Sequence, residues 1–143
     1  MAPLSLLELV IAYQQRRISP TELEQGLEQQ IQLCRHKQRK LKQLSIPPAD
    51  QQLWQEDLKP GLEACYEGLC SAAAAARDYA SQRNEQLLPG IVALIQEVDR
   101  IKAYLSNRAA LLSPATGQIL QWGMDLHSEK LSLPNPSHTG IEA

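Results

Sequence analysis

Residues 58–84 constrain the fold of this chain more than any other stretch. They form a long run of helix-favouring residues with five consecutive alanines at 72–76 and a Pro-Gly pair near each end, Pro60-Gly61 and Pro89-Gly90. Counting from Leu58, the apolar residues recur as Leu58, Leu62, Cys65, Leu69, Ala72, Ala76 and Tyr79. Alternating steps of four and three place them on one helical stripe. A second stripe, Gly61, Ala64, Gly68, Ser71 and Ala75, contains only small residues, while Glu63, Glu67, Arg77 and Asp78 take the remaining arc. The helix therefore has a bulky side, a thin side and a wet side. One reading of the thin side is that alanine favours helix and small residues fill a crowded bundle. The other is a seam where a partner helix comes close because no side chain intervenes. The two glycines weigh against pure propensity, since each costs a helix interior about 1 kcal/mol relative to alanine.

With 143 residues, the chain suits one domain with a real core. Phe is absent, Tyr and Trp are few, and no run of alternating β-branched residues occurs, so the expected fold is all-α. The spacing predicts an antiparallel helical bundle with coiled-coil-like packing: three long helices at 20–44, 50–84 and 90–112, flanked by short N- and C-terminal helices. Residues 1–131 form the bundle in this reading. A Pro-containing flexible tail takes 132–143. The apolar stretch 6–13 is too short to span a bilayer and no signal peptide is visible, which predicts a soluble, cytoplasmic protein.

Local signals set the boundaries. The N-terminal helix, 4–17, is apolar almost all round and either slots between other helices or completes a dimer interface. Ser19, Pro20 and Glu22 form a capping-box start for the next helix, and Ser45-Ile46-Pro47-Pro48 ends it. Asp50 is the expected cap of the third helix. Pro60 either kinks that helix or marks a fresh start capped by Asp57. The segment 87–91 echoes 58–62 as a shared punctuation device. Beyond it Ile91, Leu94, Ile95, Val98, Ile101, Leu105 and Leu112 mark another amphipathic helix, and Ser113-Pro114 starts a short last one reaching about residue 131.

Little in the chain resembles a reactive site. Cys34, Cys65 and Cys70 include no CxxC, and a five-residue spacing on a helix points the Cys65 and Cys70 thiols apart, so reduced thiols are expected. His36, His127 and His138 stand outside any metal-ligand spacing, and surface positions are expected for them; Glu129 follows His127 on another helical face. No phosphate-cradling glycine loop or nucleophile elbow appears. The reading is a protein without enzymatic activity or cofactor.

Two features point to partners. The basic run at 35–42 carries Arg35, Lys37, Arg39, Lys40 and Lys42. Placed on a wheel these cations wrap the solvent arc without an interleaved aromatic, which fits a solvated helix end better than a nucleic-acid reader. Residues 1–45 hold seven Lys/Arg against four Asp/Glu, and 46–100 hold four against nine, an asymmetry that suggests complementary packing between halves or between chains. Trp122 is either an interface anchor or a lid closing the bundle end. The expected function is a non-enzymatic protein–protein interaction module, an adaptor or small scaffold that binds a protein partner or forms a homo-oligomer. A nucleic-acid-associated factor using 35–42 and a secretion-type helical chaperone are the alternatives.

Overall fold

Ser5 opens the first helix with a capping box: the Glu8 N–H donates to its hydroxyl at 3.2 Å, and its own N–H donates to the Glu8 carboxylate at 2.7 Å. The computed structural model describes residues 4–126, and helix α1 is Leu6–Gln14. The box trims the front of the expected 4–17 helix. Arg16, at a left-handed φ of 62°, ends it early. Helix α2 is Pro20–Gln43, opened as expected by Ser19 and Glu22 and closed by an extended Leu44.

Helix α3 runs without a break through 51–82: a short α-helical turn Gln51–Leu53, a π-helical turn Trp54–Leu58, and Lys59–Gln82. Pro60 neither breaks this helix nor restarts it. Proline offers no N–H and its ring crowds the preceding turn, and the widened turn, in which the Lys59 N–H reaches Trp54 O, makes room for it. The Pro89 copy behaves differently. Helix α3 ends at Arg83, also left-handed (φ 51°), and a single 3₁₀ turn Glu85–Leu87 capped by Asn84 leads into α4, Leu88–Arg108. There Pro89 sits in the first turn, where no intrahelical donor is needed. Helix α5 is Pro114–Met124.

The result is an all-α helical bundle with no strand among the described residues. Helix α3 is its axis. It makes its longest contact with α4 and the next longest with α2, while α1 leans on α2, α3 and α4, and α5 closes over α3 and α4. All seven residues of the bulky α3 stripe are buried, joined by Tyr66 and Ala73. Across the surface Arg77 of α3 grips Glu24 through two nitrogens and reaches Glu28 at 2.7 Å, tying α3 to α2. Among the described residues no helix is long and apolar enough to cross a membrane. The tail at 132–143, the boundary at 131, His127, Glu129 and His138 lie outside the described residues.

The two aspartates expected to act as caps on α3 act on later helices instead. Asp50 is 5% exposed and makes no cap bond to its own helix. Its Oδ2 accepts from the Ser113 hydroxyl at 2.7 Å, from the Ser113 N–H at 3.4 Å and from the Thr116 hydroxyl, so it caps α5 from another part of the chain. Burial pushes this carboxyl up, and the bonds from Ser113 and Thr116 outweigh that push and leave it below the usual range. Asp57 likewise accepts from Tyr104 at 2.7 Å and Arg108 at 3.0 Å on α4.

Candidate functional site

The thin stripe of α3 divides between inside and outside. A Cβ on Gly61 would stand 2.7 Å from Leu105 Cδ2, and one on Gly68 would stand 2.8 Å from Val98 Cγ2, so the close neighbour at both glycines is α4 of the same chain. Ala64 and Ser71, which alternate with them, are exposed, and Ala75 is half-buried. Two of the five stripe residues therefore form a helix–helix seam. The outer part continues toward the start of α4, where Ala75, Leu87, Gly90, Ile91, Ala93 and Leu94 line an open apolar groove of about 480 Å³. Nothing lies within 4 Å of a Cβ built on Gly90. Gln86 and Glu97 edge the groove, and Glu67 and Asp78 of the wet arc of α3 are exposed.

The basic run is not the continuous solvated arc that the wheel implied. Arg35, Arg39 and Lys42 are exposed and Lys40 is half-buried, but Lys37 is fully buried. Its ammonium donates to Trp122 O at 2.6 Å and to Asp125 O, and it sits 4.7 Å from the centre of the Trp122 ring. A signal for this was present in the chain. Steps of four and three from Leu23 pass through Leu27, Gln30, Cys34, Lys37 and Leu41, so Gln30 and Lys37 fall on the core stripe of α2, and both are buried.

Together they hold the end of α5. The Gln30 side-chain amide donates to Leu4 O at 3.2 Å and Leu126 O at 3.4 Å, and the Tyr66 hydroxyl donates to Gly123 O at 2.7 Å. Three side chains from α2 and α3 thus satisfy the carbonyls of residues 122, 123, 125 and 126. The last carbonyls of a helix need such partners when they are buried. This corrects the expected extension of the last helix to about residue 131: the backbone turns extended at Asp125, where the core supplies donors that continued helix would otherwise provide. Trp122, 5% exposed, is the lid and not a surface anchor. His36 is half-buried beside it, its ring edge-on at 6.5 Å. The Trp122 Nε1–H is buried and meets no acceptor among the described residues.

Burial sets the protonation chemistry of this core. It lowers Lys37 to about 8, against the pull of Asp125 and Cys34, and raises the Cys34 and Cys65 thiols to about 12 and about 11. Burial likewise pushes the Tyr66 phenol up. All three cysteines are free, and thiols held protonated are poor nucleophiles. Among the described residues no group of three or more His, Cys, Asp or Glu is placed to hold a metal ion.

The fold and its surfaces define an all-α bundle with an internally clamped C-terminal helix and an open groove between α3 and α4. No protein-family model matches the chain, and neither does any curated protein or solved structure.

Proposed function

We propose that this chain is a non-enzymatic protein-interaction module, an adaptor or small scaffold, whose α3–α4 groove receives a helix of a protein partner. The observation that carries the reading is the groove itself: apolar, open, and floored by Ala75, Gly90 and Ala93, residues small enough for another helix backbone to come close. Its surroundings select the partner's chemistry. Glu97 borders it, and residues 46–100 carry nine acidic against four basic side chains. A helix with small or aliphatic residues on one face and Lys or Arg along its edges fits this surface.

Gly90→Leu tests it. The new side chain enters open space, and helix propensity favours leucine over glycine by about 1 kcal/mol, so the melting temperature is expected to hold or rise. The same side chain fills the groove. Partner protein captured from the native cell and quantified by mass spectrometry is expected to fall at least tenfold relative to wild type, and an unchanged capture profile sinks the proposal.

Self-association is the second reading, favoured by exposed apolar side chains at the N-terminal helix, Leu4 just before α1 at 41% and Ile11 on it at 37%. Light scattering is expected to show a dimer that Ile11→Glu dissociates; a strict monomer at high concentration removes this reading.

A further inference from the structure

At one end of the bundle the turn after α1 and the turn after α3 lie side by side and enclose a cleft of about 690 Å³, within the range of small-molecule sites. Tyr13, Arg16, Ile18, Tyr79, Arg83 and Glu85 are among its walls. The two tyrosines pack edge to face, ring centres 5.8 Å apart, and neither hydroxyl bonds to another side chain or backbone group among the described residues. Arg16 and Arg83 are the two residues other than glycine with positive φ among those described, at 62° and 51°. A left-handed backbone is costly for a residue with a Cβ, and glycine or asparagine usually takes that place after a helix.

Both positions instead carry arginine, and both arginines line the same cleft. Arg77, Arg100 and Arg108 each form an ion pair with a carboxylate; among the described residues Arg16 and Arg83, like Arg17, Arg35 and Arg39, form none, and of these five only Arg16 and Arg83 line the cleft. The left-handed turn itself is a helix ending, since after α1 the Arg16 N–H donates to Tyr13 O at 3.0 Å and the Arg17 N–H to Ala12 O at 2.8 Å. That ending does not require arginine, and a cation in the last helical turn would complement the helix dipole with ordinary backbone angles. What arginine adds at these two helix ends, in place of the less strained glycine, is a guanidinium bordering the space between the two turns.

We propose that this cleft binds a small organic oxyanion, a phosphate ester or a polycarboxylate, with Arg16 and Arg83 pairing with its charge and the Tyr13 and Tyr79 hydroxyls donating to its oxygens. Guanidinium forks and phenolic donors are the groups that recognise such oxygens. Glu85 sets a further condition. Its carboxylate borders the cleft, so a preferred ligand also carries a hydroxyl or amine to donate to it, and a ligand that is anionic throughout binds less well. The cleft lies at the turn end of the bundle, lined by none of the residues of the α3–α4 groove, and this inference does not depend on the proposed helix partner.

The test is thermal unfolding of the full chain with millimolar glycerol 3-phosphate, and in a parallel arm citrate, both of which carry a hydroxyl, each against chloride at matched ionic strength, with pyrophosphate as the ligand that is anionic throughout. A rise of several degrees is expected in wild type with at least one of the two, and the arm with the larger rise identifies the oxyanion class. The paired variant Arg16→Gly, Arg83→Gly relieves both strained backbones. Without ligand it is expected to melt at or above the wild-type temperature, while its affinity for the probe falls at least tenfold. Glu85→Gln is expected to tighten pyrophosphate severalfold, and Arg35→Gln with Arg39→Gln, at the exposed basic end of α2, is expected to leave the rise intact. The proposal is overturned by no rise in wild type with either probe, by an undiminished rise in the paired glycine variant, or by a paired variant that melts well below wild type, which would make the arginines structural.

Discussion

Replacing Lys37 with alanine is expected to lower the unfolding free energy by about 3 kcal/mol, read by urea denaturation, with a fall of about 10 °C in melting temperature. Two opposing terms decide the size. The ammonium is costly to bury, as its lowered pKa of about 8 shows. Against that, it donates to Trp122 O and Asp125 O and lies over the Trp122 ring, and truncation removes a charged donor from each carbonyl, leaving Trp122 O the 3.2 Å bond from the Asp125 N–H, and opens a cavity where the aliphatic stem stood. Lys37→Met retains most of the volume and removes the charge, so its loss is expected to be smaller, about 1 kcal/mol. An alanine variant as stable as wild type would show that the clamp on α5 contributes nothing.

The same residue gives a pH signature whose sign is fixed. Unfolded, Lys37 titrates near its ordinary 10.5; folded, near 8. Below pH 8 both states hold the proton and stability does not change on this account. Between pH 8 and 10.5 the unfolded chain binds the extra proton, so the lysine's contribution to stability rises with pH, by on the order of 3 kcal/mol across the window. The buried thiols act oppositely. Cys34 and Cys65 keep their protons when folded and lose them above about 9 when unfolded, so their contribution is present below pH 9 and is lost as pH rises through their folded values of about 12 and about 11. Wild type minus Lys37→Met largely cancels the thiols. That difference is expected to be flat below pH 8 and to climb above it; a difference that falls above pH 8 contradicts the burial of the charge.

The second large effect is at the seam. Gly61→Leu combined with Gly68→Leu is expected to cost about 4 kcal/mol or more, a large part of the 5–15 kcal/mol by which a domain of this kind is stable. At both positions even a Cβ would stand closer than 3 Å to a buried side chain, Leu105 at 2.7 Å and Val98 at 2.8 Å, and each partner is itself enclosed. Helix propensity returns about 1 kcal/mol per substitution and does not offset the overlap. The two sites are two helical turns apart with different partners, so the single-variant losses should add. Calorimetry of the singles and the pair checks this. Small losses here, similar to the effect of Gly90→Leu, would mean that α3 and α4 do not meet at the glycines.

Much of this architecture could be read directly in the chain. The 4-3 stripe from Leu58 to Tyr79 is buried along its whole length, and Ser19 with Glu22 caps α2 as its pattern requires. These features are local: period, capping and proline punctuation act within a turn or two of helix. The same capping pattern at Ser5 and Glu8 was equally legible, and it explains why α1 begins where it does. Of the candidate site residues, the small stripe was identifiable, but not its division into a close-packed seam at Gly61 and Gly68 and an outer part that runs into the groove. A helical wheel gives the direction of a side chain and says nothing of what stands opposite.

The sequence by itself determined that this chain is helical, where its long helices start and stop to within a few residues, and which face of each turns inward. Tertiary structure decided the rest. It made Lys37 a buried clamp instead of one more surface cation, set Asp50 to capping a helix more than sixty residues away, and let Pro60 pass through a continuous helix while Pro89 began a new one. For Lys37 and Asp50 the physical reason is the same. A polar group at a core position folds only if a partner meets it there, and the partners here, the carbonyls of Trp122 and Asp125 and the hydroxyls of Ser113 and Thr116, come from segments that local periodicity cannot bring together.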